Sequence, residues 1–164
     1  IDVKSELGRG SRFVIYLPRV DSPAVAEGED EAPVARGRGE RVLVVDDEAA
    51  LVALTAEVLK RLGYEPVAFS DGTAALAGFE AAPQRFDAVI ADEVMPGLTG
   101  TDLARKLRAR RADLPIVLVS GYIGPMMSER AVAAGVDEIL KKPVQSRELA
   151  AALARALARP ALQL

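Results

Sequence analysis

The chain has 164 residues and a net charge of −3, and half of its residues are apolar, so it can bury a sizeable core but offers no basic footprint for nucleic acid. It contains no cysteine and no histidine, which excludes disulfides, thiolate chemistry, cysteine–zinc sites and a phosphohistidine within the chain. It has no run of about 18 apolar residues and no basic-then-apolar leader, which predicts a cytoplasmic domain without membrane contact.

The first 39 residues predict two short segments outside the main domain. Residues 1–20 contain a turn at Gly8 and Gly10, followed by an apolar alternation that indicates one strand ending at Pro18. One strand cannot bury its own face, so we expect a fragment of a larger sheet or a strand that joins a neighbour. Residues 21–39 combine proline, glycine, alanine and acids without an apolar period, which is typical of a flexible linker. The chain begins with Ile1 and not with methionine, which favours an excerpt or a processed product.

Residues 40–159 alternate short apolar runs with helical periods. Five strands are predicted, at residues 41–47, 65–70, 86–92, 115–121 and 137–143. The helix after the first strand places four apolar residues on one face: Leu51, Leu54, Val58 and Leu62. It is expected to end before Gly63, which suits a position just after a helix. The other helices are predicted at residues 71–81, 100–110, 125–135 and 146–159, with Asp71 and Ser146 as N-caps and Pro125 in a first turn.

This alternation predicts an α/β fold. Five strand–helix units in about 120 residues form a parallel sheet with helices on both faces. Three of the strands are apolar almost throughout, as strands covered on both faces should be. The size suits a flavodoxin-like (βα)5 doubly wound sheet with strand order 2-1-3-4-5, in which the binding crevice lies beyond the carboxyl ends of the strands.

Polar residues follow four of the predicted strands at their carboxyl ends: Asp46, Asp47, Asp92, Ser120 and Lys142. Parallel strands bring these ends to one edge, where three carboxylates about 4 Å apart would repel by roughly 4 kcal/mol per pair at an effective dielectric near 20. The lysine offsets part of this repulsion, and a hard divalent cation would offset more. Oxygen ligands without histidine or cysteine favour Mg²⁺, Mn²⁺ or Ca²⁺ over zinc.

Residues 40–160 resemble a bacterial response-regulator receiver domain. The resemblance rests on "LVVDDE", "DAVIADEVMPGLTG", "PIVLVSG" and "LKKP", which occur in order and at receiver-like intervals. It implies a two-component phosphorelay role, in which Asp92 accepts a phosphoryl group. It also implies that Asp46, Asp47, Asp92 and the backbone carbonyl of Val94 hold Mg²⁺.

The resemblance assigns further roles around the acceptor. Lys142 matches the lysine that pairs with the phosphoryl oxygens, and Pro143 matches the proline after it, usually cis in the family. Ser120 matches the hydroxyl residue that turns toward the phosphoryl group. The chain departs from the family at Ile139, where a switch aromatic is common. The usual coupling between hydroxyl movement and ring rotation is therefore not expected here.

The first twenty residues resemble the end of a histidine-kinase ATP-binding domain, because Gly8 and Gly10 precede a strand that contains Phe13. A kinase end, an acidic linker and a receiver in this order imply a hybrid sensor histidine kinase. The parent would then be a protein-histidine phosphotransferase that can be membrane-anchored. The receiver itself would catalyse only its own aspartyl phosphorylation and dephosphorylation.

The expected function is Mg²⁺-dependent phosphoryl transfer to Asp92 from a phosphohistidine on a histidine kinase or phosphotransfer domain. Because no output domain follows Leu164 in this sequence, we expect the phosphorylation signal to pass through protein contacts or to a phosphotransfer histidine elsewhere. A weak homodimer is a further alternative. One alternative is a pseudo-receiver that acts only as an interaction module. Another is a Mg²⁺-dependent phosphatase, which would normally have a second aspartate where Val94 stands.

Overall fold

The computed structural model describes residues 1–17 and 34–158, and the chain divides into two compact units after residue 32. The first unit contains an antiparallel hairpin of β1 (Asp2–Glu6) and β2 (Gly10–Val14). Gly8 and Gly10 have φ angles of 80° and 88° in its turn, a left-handed conformation that glycine adopts without strain.

The hairpin corrects the predicted single strand. The sequence pattern missed β1 because Val3 is its only apolar residue, so its apolar alternation is too weak to indicate a strand. Val3 pairs with Phe13 across the hairpin, and both side chains are exposed. The predicted strand end at Pro18 lies outside the described residues.

The second unit contains five strands and five helices in strict alternation. The strands are β3 (Arg41–Val45), β4 (Glu65–Phe69), β5 (Ala88–Asp92), β6 (Ile116–Ser120) and β7 (Glu138–Lys141). The helices are α1 (Ala49–Arg61), α2 (Gly72–Ala81), α3 (Gly100–Arg110), α4 (Pro125–Ala133) and α5 (Ser146–Ala158). A short 3₁₀ helix, Pro83–Arg85, precedes β5.

The sheet is parallel with order β4-β3-β5-β6-β7, which confirms the predicted 2-1-3-4-5 order and the flavodoxin-like fold. Every residue of β5 and β6 is buried, as their continuous apolar runs predict. The chain reverses its winding direction between β3 and β5. The carboxyl ends of these two strands therefore lie side by side at the switch point.

The core has two layers, one on each face of the sheet. On one face Leu43 and Val89 pack with Phe79 of α2, Leu103 of α3 and Ala131 of α4. The other layer contains the following residues of the sheet, α1 and α5: Val42, Ile90, Val117, Leu59 and Leu153. Both faces of the sheet are therefore covered, and its functional groups are left at the strand ends.

The predicted helix ends agree with the structure at three positions. The carboxylate of Asp71 caps α2 by accepting from the Ala74 amide at 2.6 Å, Pro125 begins α4, and Gly63 follows α1 with a φ of 91°. The predicted inward face of α1 is wrong at Leu54, which is 61% exposed. Val52 and Leu59 are the buried residues of α1, because the helix is rotated by about one position from the predicted stripe.

The last part of the predicted linker is attached to the second unit. The Gly37 amide donates to the Leu62 carbonyl and the Gly39 amide to the Gly63 carbonyl, both at 2.9 Å. A Cβ at Gly37 would lie 2.5 Å from the ring of Tyr64, so a side chain there would displace this segment. Among residues 1–17 and 34–158, no helix is both long and apolar enough to cross a membrane.

Candidate functional site

Three carboxylates meet where β3 and β5 end. Val45 pairs with Ala91 in the parallel register, so the residues that follow this pair, Asp46 and Asp92, lie at the same level. One carboxylate oxygen from each of Asp46, Asp47 and Asp92 lies within 4.8 Å of the other two. This all-oxygen set has the chemistry that hard divalent cations prefer.

Asp92 is the most enclosed of the three, with 5% of its surface exposed. One carboxylate oxygen, Oδ1, lies 2.8 Å from the Lys142 ammonium. The other, Oδ2, accepts a hydrogen bond from the Val94 amide at 3.0 Å. Both oxygens of a buried anion are thereby compensated, which fixes the carboxylate at the edge of the sheet.

Lys142 reaches the cluster from the end of β7. Its amide donates to the Ser120 carbonyl at 2.8 Å, and the Lys142–Pro143 peptide bond is cis. The ammonium also lies 3.1 Å from Asp46 Oδ2, so it bridges two of the three acids. Burial alone would lower the pKa of Lys142, but hydrogen bonds and charges from Asp92 and Asp46 outweigh it and hold the pKa above its ordinary value. The lysine therefore keeps its positive charge through neutral pH.

Ser120 ends β6 and is 3% exposed. Its hydroxyl donates to the Tyr122 carbonyl at 2.8 Å and accepts from the Tyr122 amide at 3.3 Å. It is therefore engaged with its own loop and not with Asp92. Val94 and Tyr122 are 72% and 75% exposed.

The sequence did not indicate a second polar cluster, formed by Glu93, Thr101 and Arg130. Glu93 is buried and accepts hydrogen bonds from the Thr101 amide and hydroxyl at 2.9 and 3.2 Å. Arg130 approaches the same carboxylate to 3.6 Å. The only sequence signal for this cluster is Glu93 itself, an acid that stands between Asp92 and the apolar residues Val94 and Met95.

A cavity of about 590 Å³ opens beside the acidic cluster. Apolar residues of α1, α5 and the sheet line most of it: Leu51, Leu54, Val58, Ile90, Val119 and Leu149. Asp46, Asp92 and Lys142 of the polar cluster also line it. The exposed Leu54 thus contributes to the wall of a groove that leads to the site.

We predict that Gly100→Ala destabilises the fold and disturbs the site. A Cβ at Gly100 would collide with the carbonyl oxygen of Asp92 and lie 2.5 Å from Leu118 Cδ1. Overpacking of this kind costs about 2 kcal/mol of unfolding free energy, measurable by urea denaturation. Gly121→Ala is the matched control, because a Cβ there meets nothing within 4 Å, and its cost should stay below about 0.5 kcal/mol. Equal stabilities of the two variants would contradict this packing account.

A family model described as the response regulator receiver domain matches residues 42–154. The sensory transduction protein RegX3 of Mycobacterium bovis is 36% identical over 118 residues, covering 72% of this chain and 51% of that protein. The chain thus spans about half the length of this curated relative.

Two further similarities differ in extent. The sensor kinase CckA of Brucella abortus is 32% identical over 154 residues, covering 89% of this chain and 16% of that kinase. The crystal structure of a response regulator receiver domain protein from Clostridium thermocellum matches with a TM-score of 0.69 and 28% identity, over 72% of this chain and 94% of that one. The similarity to the kinase therefore extends over more of this chain than the receiver-only similarity does.

Proposed function

This chain belongs to the response regulator receiver domain family of two-component signalling, and from that premise we propose that it accepts a phosphoryl group on Asp92 in a Mg²⁺-dependent reaction. The observation on which the proposal rests is the position of the Asp92 carboxylate. It lies in one acidic cluster with Asp46 and Asp47 and contacts the ammonium of Lys142. Receiver domains interact with histidine kinases or phosphotransfer partners, so the proposed donor is a phosphohistidine on such a protein.

In the proposed reaction an oxygen of Asp92 attacks phosphorus in line with the phosphohistidine nitrogen. The new O–P bond forms as the P–N bond breaks, and the imidazole leaves. Phosphoryl transfer has a loose transition state, so positioning and neutralisation of charge supply most of the catalysis. Lys142 would exchange its contact with Asp92 for one with a phosphoryl oxygen, which lets two anions approach each other.

The described donor set fits Mg²⁺. Asp46, Asp47 and Asp92 would hold the ion, together with the carbonyl oxygen of Val94 that the family resemblance assigns, and water would complete the six positions that Mg²⁺ requires. When bound, the ion neutralises charge on the transferred phosphoryl group. Asp47, the exposed member of the cluster, would bind the ion directly, and Asp46 partly through water.

Ser120 is the proposed hydroxyl of the switch. To reach a phosphoryl group it must release the Tyr122 carbonyl, to which it donates at 2.8 Å. That release would free the loop after β6. The usual switch aromatic is replaced by Ile139, which is half-buried against the core, so the change would proceed without a rotating ring at this position.

We predict that Val94→Asn and Tyr122→Ala each shorten the half-life of the acyl phosphate severalfold. Both wild-type side chains are bulky and exposed, and we expect them to lie beside the phosphorylated acceptor and to hinder an attacking water. Decay of the phosphorylated protein, followed by intact mass, measures the half-life. The idea is wrong if neither substitution shortens it.

A hybrid histidine kinase is the proposed parent, with residues 1–20 as a remnant of its ATP-binding domain, 21–39 as a linker and 40–160 as the receiver. The similarity to the sensor kinase CckA supports it, because it covers 89% of this chain whereas the receiver model spans residues 42–154. The hairpin also supports it. Its cross-strand register pairs Val3 with Phe13 and both side chains are exposed, as expected of strands that belong to a larger domain.

Phosphotransfer from purified phosphohistidine donors tests the proposal. Label should move to this chain in Mg²⁺ and should not move to Asp92→Asn. A pseudo-receiver would accept no label and would not bind beryllofluoride with Mg²⁺, so either result would favour an interaction module. Turnover of a general phosphomonoester would favour a phosphatase.

A further inference from the structure

Glu93 follows the proposed acceptor but has no part in the acidic cluster. Glu93 is the first residue after β5, it is buried at 7% exposure, and its carboxylate bonds to Thr101 and not to the acidic cluster. Its carboxylate accepts from the Thr101 amide in the first turn of α3. Negative charge is favoured at a helix N-terminus, which offsets part of the cost of burying this group.

Arg130 of α4 completes this second cluster, which we call the clamp and define as Glu93, Thr101 and Arg130. Its guanidinium donates to the Thr101 hydroxyl at 3.1 Å and lies 3.6 Å from Glu93. The guanidinium is half-exposed, whereas the carboxylate that it approaches is almost fully buried. The clamp therefore connects three elements: the loop after β5, the start of α3 and the middle of α4.

Helix α4 has few buried residues, although half-buried Met127 and the C-cap residue Ala134 also pack against the core. Ala131 is its one fully buried residue, whereas α3 and α5 each bury five. Elements with few buried contacts are the ones that open or shift most easily. The polar contact of Arg130 with the buried Glu93 carboxylate therefore adds to the few contacts that position this helix.

Resting on the proposed phosphorylation of Asp92, we propose that Glu93 is a positioning residue whose clamp with Thr101 and Arg130 transmits the phosphorylation state to α4. The Glu93 amide donates to the Val119 carbonyl and its carbonyl accepts from Gly100, so its backbone is fixed between β6 and α3. A phosphoryl group on the preceding residue shifts this loop. The shift changes the geometry between Glu93 and Arg130 and so biases the position of α4.

Hydrogen exchange of the α4 amides, measured on the full chain with Mg²⁺ and with or without beryllofluoride, tests this coupling. In the wild type, beryllofluoride should change exchange in residues 125–133. In Arg130→Ala the α4 amides should exchange roughly three- to tenfold faster without beryllofluoride, as expected for a lost contact to a half-exposed charged group. The beryllofluoride-dependent change should be largely lost, and Arg130→Lys should restore part of it.

Two further variants separate coupling from simple destabilisation. Arg110→Ala removes an equally exposed arginine from an ion pair with Glu80 at the other end of α3, and it should behave as the wild type. Glu93→Gln keeps the shape but removes the charge, and it should match Arg130→Ala. A wild-type-sized response of α4 in Arg130→Ala, or no response in a wild type that binds beryllofluoride, would overturn the clamp. A wild type that does not bind beryllofluoride would instead overturn the proposed phosphorylation.

Discussion

Lys142→Met should lower the rate of Asp92 phosphorylation about 100-fold, the loss typical of removing one preorganised charge from a transition state. The ammonium now contacts Asp92 at 2.8 Å and Asp46 at 3.1 Å, close enough to move to a phosphoryl oxygen without rearrangement of the sheet. Methionine keeps the volume of the side chain but supplies no charge. Single-turnover phosphorylation by a small phosphodonor, at saturating Mg²⁺, measures the effect.

The neighbouring residue provides the control. Lys141 is exposed, and Lys141→Met removes the same charge from the chain without touching the cluster, so its rate should stay within about twofold of the wild type. Lys142→Met should also lower the unfolding free energy by about 2 kcal/mol in EDTA, because two largely buried carboxylates lose their cation. Added Mg²⁺ should recover part of that loss. Equal rates in the two variants would remove Lys142 from the proposed mechanism.

Asp47→Asn should weaken Mg²⁺ binding by about tenfold or more, because a carboxylate is replaced by a neutral oxygen in a site that depends on charge. Asp47 is the exposed acid of the cluster, so the substitution should leave the fold intact. Calorimetric titration with Mg²⁺ measures the dissociation constant. Glu48→Gln removes the adjacent exposed charge from outside the cluster and should leave the affinity within about twofold. An unchanged affinity in Asp47→Asn would show that this carboxylate does not bind the ion.

The sequence pattern predicts the sheet well because its central strands are simple. Runs such as Val42–Val45 and Ala88–Ala91 are buried on both faces, so every residue is apolar and the strand is evident. The pattern does not predict which side chains are buried where a helix has more apolar residues than the core can cover. Leu54 fits the helical period of α1 but lies beside the cavity, since neighbouring elements and not the period decide which part of a wide apolar stripe faces inward.

The meeting of the three acids with Lys142 could be predicted because parallel strands put their carboxyl ends at one edge. The hydrogen bonds could not be predicted, because they depend on rotamers. Ser120 turns to the Tyr122 carbonyl, and the Lys142 ammonium rests on Asp92 itself. The clamp was also missed, because a buried Glu93 is stabilised by partners 8 and 37 positions away that only the fold brings close.

The central claim is that this edge of the sheet holds Mg²⁺ next to a carboxylate that captures phosphorus. Intact-protein mass spectrometry after incubation with acetyl phosphate tests it most directly. The account predicts one added phosphoryl group in Mg²⁺, none in EDTA and none in Asp92→Asn. A wild-type protein that never gains the group in Mg²⁺, or an Asp92→Asn protein that gains it equally, would contradict the account.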